Sequence, residues 1–188
     1  EAQHIDLVLI FKRVSDIDVL AFGRAVKNLK PDLPVILLAY HERELAAMLE
    51  NDDQTAIDQT FVWTGDAKIL LSIIKLVEDS LNVKHDTKQM GVRVIIIVED
   101  SVKFYSSYLP LLYREIMQQT RGLMAEGLNA SDKILRMRAR PKILLAKTYE
   151  QAWGMFKSHK KYVLAVISDF SFKVHGKEDP EAGIKLVD

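Results

Sequence analysis

Two short segments carry most of the chemistry available to this sequence. Ile95, Ile96, Ile97 and Val98 run directly into Glu99, Asp100 and Ser101, and Val166, Ile167 and Ser168 run directly into Asp169 and Phe170. Each is an apolar run of strand length that delivers carboxylates at its C-terminal end, the edge at which open α/β sheets assemble ligand sites. If the two runs are neighbours in one sheet, their ends stand about 5 Å apart, and three carboxylates share one small volume. Like charges that close are costly unless one takes up a proton or a cation joins them. A hard divalent ion with oxygen ligands and several retained waters meets that need, so Mg²⁺ is the expected cofactor. Taken singly, an acid after a strand is more often a helix cap or a turn residue; the pairing of the two segments gives the chemical reading its weight.

The other reactive side chains form no comparable set. With no cysteine there is no disulfide, thiol nucleophile or thiolate metal site, which suits a reducing compartment. The five histidines (His4, His41, His85, His159 and His175) show no paired metal spacing and read as surface residues. No Gly-rich phosphate loop is present. Lys133, Arg136, Arg138, Arg140 and Lys142 form a basic stretch, but Asp132 stands beside it and no aromatic platform accompanies it, so it reads as a solvated or partner-facing helix. Trp63 and Trp153 read as core residues. Lys plus Arg and Asp plus Glu number 26 each, so no bulk field favours nucleic acid or an anionic membrane. The longest apolar strand, Val92 to Val98, is too short to span a bilayer. Glu1 to Asp6 lacks the form of a signal peptide. The expectation is a cytoplasmic protein, and a chain ending at Asp188 within a helical pattern reads as a piece of a longer one.

Six apolar runs are strand candidates: Ile5 to Ile10, Val35 to Ala39, Thr60 to Trp63, Val92 to Val98, Ile143 to Ala146 and Val163 to Ile167. They do not alternate with polar residues, so they read as strands buried on both faces. Helix-length segments separate them, and no Asn-Gly or Asp-Gly turn joins any pair, which predicts parallel crossovers in an open, doubly wound α/β sheet. One helix follows Thr64 or Asp66, with Ile69, Leu70, Ile73, Ile74, Val77 and Leu81 on one face. Another follows Ser15 or Asp16, with Ile17, Leu20, Ala21, Val26 and Leu29 inward. Thr148 to Gln151 has the form of a capping box opening a helix through Phe156. Asp100 or Ser101 caps a helix running toward Gln119, which Pro110 should kink or restart. Asn82 to Gly91 reads as a polar linker, dividing the chain into 1–86 and 87–188. Arg121 to Lys142 reads as an insertion or a helical extension.

Strand, acidic pair, helix, strand, helix, strand and single Asp, from Ile95 to Phe170, resembles the first part of a response-regulator receiver domain. The resemblance implies a flavodoxin-like fold, with the strand order that flavodoxin shares with a chemotaxis receiver. It also implies Asp169 as phosphoacceptor, with Glu99 and Asp100 as metal-side acids and the Ser171 backbone carbonyl as a further Mg²⁺ ligand. A carboxylate can act as such a covalent nucleophile, and phosphoryl transfer asks mainly for positioning and charge stabilisation. Gly183, Ile184, Lys185 and Leu186 resemble the start of the next crossover helix, reached through a long loop with Gly176 and Pro180. The hydroxyl and lysine that read the phosphoryl group in receivers belong to later strands.

Residues 1–86 resemble those later parts of another, degenerate copy. Asp6 to Ile10, Pro34 to Ala39 and Phe61 to Trp63 take the places of its third, fourth and fifth strands. Phe11, Ala39 and Trp63 stand where the acceptor Asp, the hydroxyl residue and the lysine belong, so this half should not be phosphorylated. The complementary halves could complete one permuted sheet in which 5–10 and 163–168 are adjacent. Val62 to Asp66 and Leu135 to Pro141 are also similar to receiver regions attached to phosphoenolpyruvate synthase or pyruvate phosphate dikinase-like proteins.

The expected function is a phosphorelay receiver rather than an enzyme. Its partners would be a histidine kinase or phosphotransfer protein and an output domain in the same longer chain; a homodimer is a further option. The alternatives are a pseudo-receiver working as an interaction or dimerisation module and, less favoured, an Asp-nucleophile phosphatase of the haloacid dehalogenase type. The last lacks its second acid, because Ser171 stands two residues after Asp169.

Overall fold

A computed structural model describes residues 5–11, 18–49, 54–63, 65–125 and 140–187. All six apolar runs form strands: β1 (Val8–Phe11), β2 (Val35–Ala39), β3 (Gln59–Val62), β4 (Val94–Val98), β5 (Lys142–Ala146) and β6 (Val163–Ser168). The helices are α1 (Val19–Leu29), α2 (Glu42–Leu49), α3 (Lys68–Met90), α4 (Val102–Ala125), α5 (Tyr149–His159) and α6 (Ala182–Val187). A hairpin of β7 (Phe172–Val174) and β8 (Lys177–Asp179) precedes α6. The fold is mixed α/β with parallel sheets, compatible with double winding. The chain divides into two compact units, residues 1–70 and 71–188, the division falling within α3.

In the first unit the sheet order is β1-β2-β3, all parallel, and β2 is buried along its whole length. Asp18 caps α1 by accepting the N–H groups of Leu20 at 2.9 Å and Ala21 at 3.0 Å. Ser15, Asp16 and Ile17, expected to start this helix, lie outside the described residues, as does Thr64. Leu29 turns outward and is 88% exposed.

In the second unit the order is β5-β4-β6, again parallel. A core of Val94, Ile96, Val98, Leu144, Ala146, Ala152, Phe172 and Ala182 packs the sheet against α5 and the hairpin. The six strands form two three-stranded sheets, one in each unit. Burial on both faces holds for β2, β4 and β5 but fails for β1 and β6. Leu164, Val166 and Ile167 are all more than two-fifths exposed, because β6 has a ladder on one side only.

Other local expectations change for identifiable reasons. Asn82 to Met90 forms the last turns of α3, where Asn82, Lys84, His85, Lys88 and Gln89 face out while Val83 and Thr87 are buried. The inward stripe of α3 runs through Ile69, Ser72, Ile73, Leu76, Asp79 and Val83, so Ile74 and Leu81 point to solvent. Helix α4 continues through Pro110 to Ala125 without a restart; tertiary packing of Tyr105, Leu109 and Tyr113 offsets the bond that the proline cannot donate. The capping box opens α5 in modified form: Thr148 accepts the Gln151 N–H at 3.3 Å, while Gln151 accepts from Lys147 N–H at 2.8 Å. The His175-Gly176 turn joins β7 to β8 with both residues at positive φ, 50° and 77°, a hairpin geometry that glycine adopts freely and histidine tolerates. Trp153 is 38% exposed rather than core, and His159 is buried rather than superficial.

Buried charge ties the helical layer to the sheet. Asp79 is fully buried on α3 and receives both terminal nitrogens of Arg140, at 2.6 and 2.9 Å. The Tyr113 hydroxyl and the Ile143 N–H each donate to the same carboxylate at 3.0 Å. Burial and the Asp79 charge push the Tyr113 hydroxyl well above the usual phenol value. Lys142 pairs with Asp86 at 2.7 Å. Arg140 and Lys142 are thus internal ion-pair partners, not members of a solvated basic helix; Lys133, Arg136 and Arg138 lie outside the described residues. Removing one partner of such a set strands the other charges. Asp79→Ala should lower unfolding stability by on the order of 3–5 kcal/mol in urea titrations. Glu115→Ala, which breaks the exposed pair with Arg114, should change it by less than about 1 kcal/mol.

Candidate metal and phosphoacceptor site

The central position of β4 decides where the acids meet. Val98 is level with Ala146 on one side and with Ser168 on the other. The next residues stay stitched: Glu99 N–H donates to Ala146 C=O at 3.0 Å, and Asp169 N–H donates to Val98 C=O at 2.9 Å. Glu99, Asp100 and Asp169 are thereby brought to one end of the sheet, each offering a carboxylate oxygen within 4.8 Å of the others. Among the described residues this is the single set of three or more acids or histidines so arranged.

Their environments differ. Glu99 is 3% exposed, and its Oε1 accepts the Ser101 N–H at 3.0 Å. Burial, assisted by the Asp169 and Asp100 charges, raises its pKa against the effect of that bond. Asp100 is half-buried and its pKa is also raised, first by burial, then by the Glu178 charge and, less, by Asp169, while Lys173 pulls it down. Asp169 is exposed, and its Oδ1 accepts the Phe170 N–H at 2.6 Å. A set of hard anionic oxygens, two of them inclined to hold protons and one open to solvent, fits a divalent cation that retains waters. Ser171, expected to lend its carbonyl, lies in the bend after Asp169.

Neighbouring elements hold the Asp169 segment in place. Gly183 N–H donates to Phe170 C=O at 3.0 Å, and a Cβ at Gly183 would come within 2.6 Å of the Asp169 carbonyl oxygen. Only glycine lets α6 approach the backbone that carries Asp169 so closely. Ser101 also starts α4, accepting the Phe104 N–H at 3.4 Å. One turn on, Tyr108 stacks on Phe104 with ring centroids 6.1 Å apart, and its hydroxyl pKa is raised by burial and by the Glu99 and Asp169 charges.

Three residues coupled to the acids carry no sequence signal, Tyr108, Lys173 and Glu178, and Lys147 likewise stands out only in the structure. Lys147 follows β5, its ammonium lies 5.3 Å from the centroid of the Tyr105 ring, and burial pushes its pKa down to about 8. Lys173 and Glu178 arrive on the hairpin, for which the His-Gly turn is the available cue. In the first unit the corresponding strand ends hold Phe11, which is exposed, Ala39, which is buried, and Trp63, which is half-buried. Comparison of the chain with protein-family models, curated proteins and solved structures gives no match.

The raised pKa values set the sign of a pH effect. Below the ordinary carboxylate range folded and unfolded chains both keep these protons. As pH rises through that range the unfolded chain ionises first, so the acids cost stability toward neutral pH. Without divalent ions, Asp100→Asn should therefore raise the thermal midpoint at pH 7, by about 2–4 °C per kcal/mol relieved, with the gain shrinking toward pH 3. Millimolar Mg²⁺ should raise the midpoint of the wild type and leave that of the variant nearly unchanged.

Proposed function

We propose that residues 71–188 are the metal-binding and phosphoacceptor part of a receiver-like signalling module with a flavodoxin-like strand arrangement. The observation that carries this reading is the adjacency of β4 and β6, which gathers Glu99, Asp100 and Asp169 within 4.8 Å at one sheet end. An Asp169 carboxylate oxygen attacks the phosphorus of a phosphohistidine on a kinase or phosphotransfer partner; the P–N bond breaks and its electron pair leaves with the imidazole. Glu99, Asp100, Asp169 and the Ser171 carbonyl would hold Mg²⁺, which when bound neutralises charge on the transferring group. Exposure of Asp169 leaves its carboxylate open to a donor. Receipt of a phosphoryl group, rather than turnover of a substrate, is the activity in this reading, and the signal passes to an output domain in a longer cytoplasmic chain.

The first unit supports a second role beside this one. With Phe11, Ala39 and Trp63 at its strand ends it has no phosphoacceptor constellation among the described residues, and it fits a pseudo-receiver that serves protein interaction.

The experiment is incubation of the chain with Mg²⁺ and acetyl phosphate, followed by intact mass measurement. The wild type should gain one acid-stable, base-labile phosphoryl adduct, lost with EDTA in the reaction and absent from Asp169→Asn. No adduct on either protein would sink the proposal. Rapid turnover of varied phosphate esters without accumulation would favour the phosphatase instead.

A further inference from the structure

A cavity of about 280 Å³ lies in the second unit between the sheet and its helices. Its floor is Ile96 and Val166, which stand level with each other on β4 and β6. Ala152, Trp153 and Phe156 of α5 form a wall, and Leu186 of α6 completes the lining. The space has a local cause. Ala152 is buried against the sheet yet contributes only a methyl group. Beyond β6 no strand continues the floor among the described residues, so Val166 stays exposed while Ile96 beside it is buried.

The lining selects what can enter. Five of its six side chains are hydrocarbon, and the sixth is the Trp153 indole. Such a space offers water no set of hydrogen-bond partners; an apolar cavity of about 150 Å³ stays dry and admits benzene, so this one has room for two fused rings. The wall favours a flat body. Trp153 stands in a column of rings along α5, its centroid 6.4 Å from that of Tyr149 and 5.6 Å from that of Phe156, with planes 23° and 11° from parallel, and a planar ligand can extend that stacking.

A charge stands at the same indole. The Lys157 ammonium lies 5.1 Å from the Trp153 ring centroid, and Lys157 itself is exposed. That ammonium makes no hydrogen bond or ion pair among the described residues, and the Trp153 indole N–H has no acceptor among them. Two donors without partners thus accompany a hydrocarbon cavity, and a few polar groups beside an apolar lining are what orient a bound small molecule. We propose that the cavity is a binding site for a small aromatic acid, its ring or two fused rings within the hydrocarbon lining and its carboxylate at Lys157. The site stands independently of the phosphoacceptor reading.

The test titrates the full chain, labelled at its isoleucine, leucine and valine methyls, with 2-naphthoate and with neutral 2-naphthamide, reading methyl NMR shifts and calorimetric affinity. 2-Naphthoate should move the Ile96, Val166 and Leu186 methyls saturably, with a Kd of about 1 mM or tighter for a ligand of that size, and leave those of Val35 and Leu37 in place. Lys157→Met should weaken 2-naphthoate about two- to fivefold and leave 2-naphthamide unchanged. Ala152→Leu, which fills the cavity, should abolish binding of both; the methyl shifts and Lys157→Met decide even where that variant does not fold. Absent shifts, or shifts spread over both units without saturation, overturn the site. Undiminished binding to a folded Ala152→Leu overturns the cavity as its location, and equal binding of 2-naphthoate to wild type and Lys157→Met overturns the assignment of an acid.

Discussion

The ladder between β4 and β6 is the constraint on which the rest depends. Parallel pairing places both C-terminal ends at the same edge, and the register that sets Val98 against Ser168 makes the next residues on each strand spatial neighbours. Helices must then cross over between the strands, since parallel strands cannot be joined by a tight turn. Helix α4 starts at the acidic edge and lies between β4 and β5 in the chain, as α5 lies between β5 and β6. A register slip by one residue would turn every side chain of β6 to the opposite face, taking Asp169 away from Glu99.

Two buried acids of this unit illustrate how surroundings decide a carboxylate's use. Asp79 sits among donors: a bidentate guanidinium, a phenol and a backbone N–H. Its oxygens are committed, and it joins α3, α4 and β5. Glu99 is almost as buried but receives one backbone N–H and faces two other acids. The first arrangement is complete without a ligand; the second gains from a cation.

The strands and the acid constellation are legible because uninterrupted apolar runs ending in carboxylates leave few alternative readings. What escapes is set by tertiary context. Asn82 to Met90 is polar in composition, yet Val83 and Thr87 recur at helical spacing and are buried, so a composition shift is a poor boundary marker here. Pro110 does not end α4, whose residues on both sides of it are packed. Arg140 and Lys142 look like part of a charge run because their partners, Asp79 and Asp86, lie more than fifty residues earlier. The hairpin is hidden because His-Gly is a less frequent turn pair than Asn-Gly, although Gly176 supplies the needed positive φ. In sequence the site therefore reads as three acids plus a carbonyl, without the Glu178 and Lys173 charges that the hairpin brings to bear on Asp100.

The one-sided support of β6 has a consequence for motion. Strand β4 is held by ladders on both sides, so its amides should be freed for hydrogen exchange only when the unit opens as a whole. The Asp169 amide, just past β6, is bonded to Val98 C=O, while among the described residues the other edge of β6 carries no ladder. The acidic site thus spans a boundary in local stability. Glu99 and Asp100 ride on the stiffest strand of the sheet, and Asp169 on one that can breathe without unfolding its neighbours. The exposed carboxylate of the set is carried by the edge strand, while the two more buried acids follow the central one.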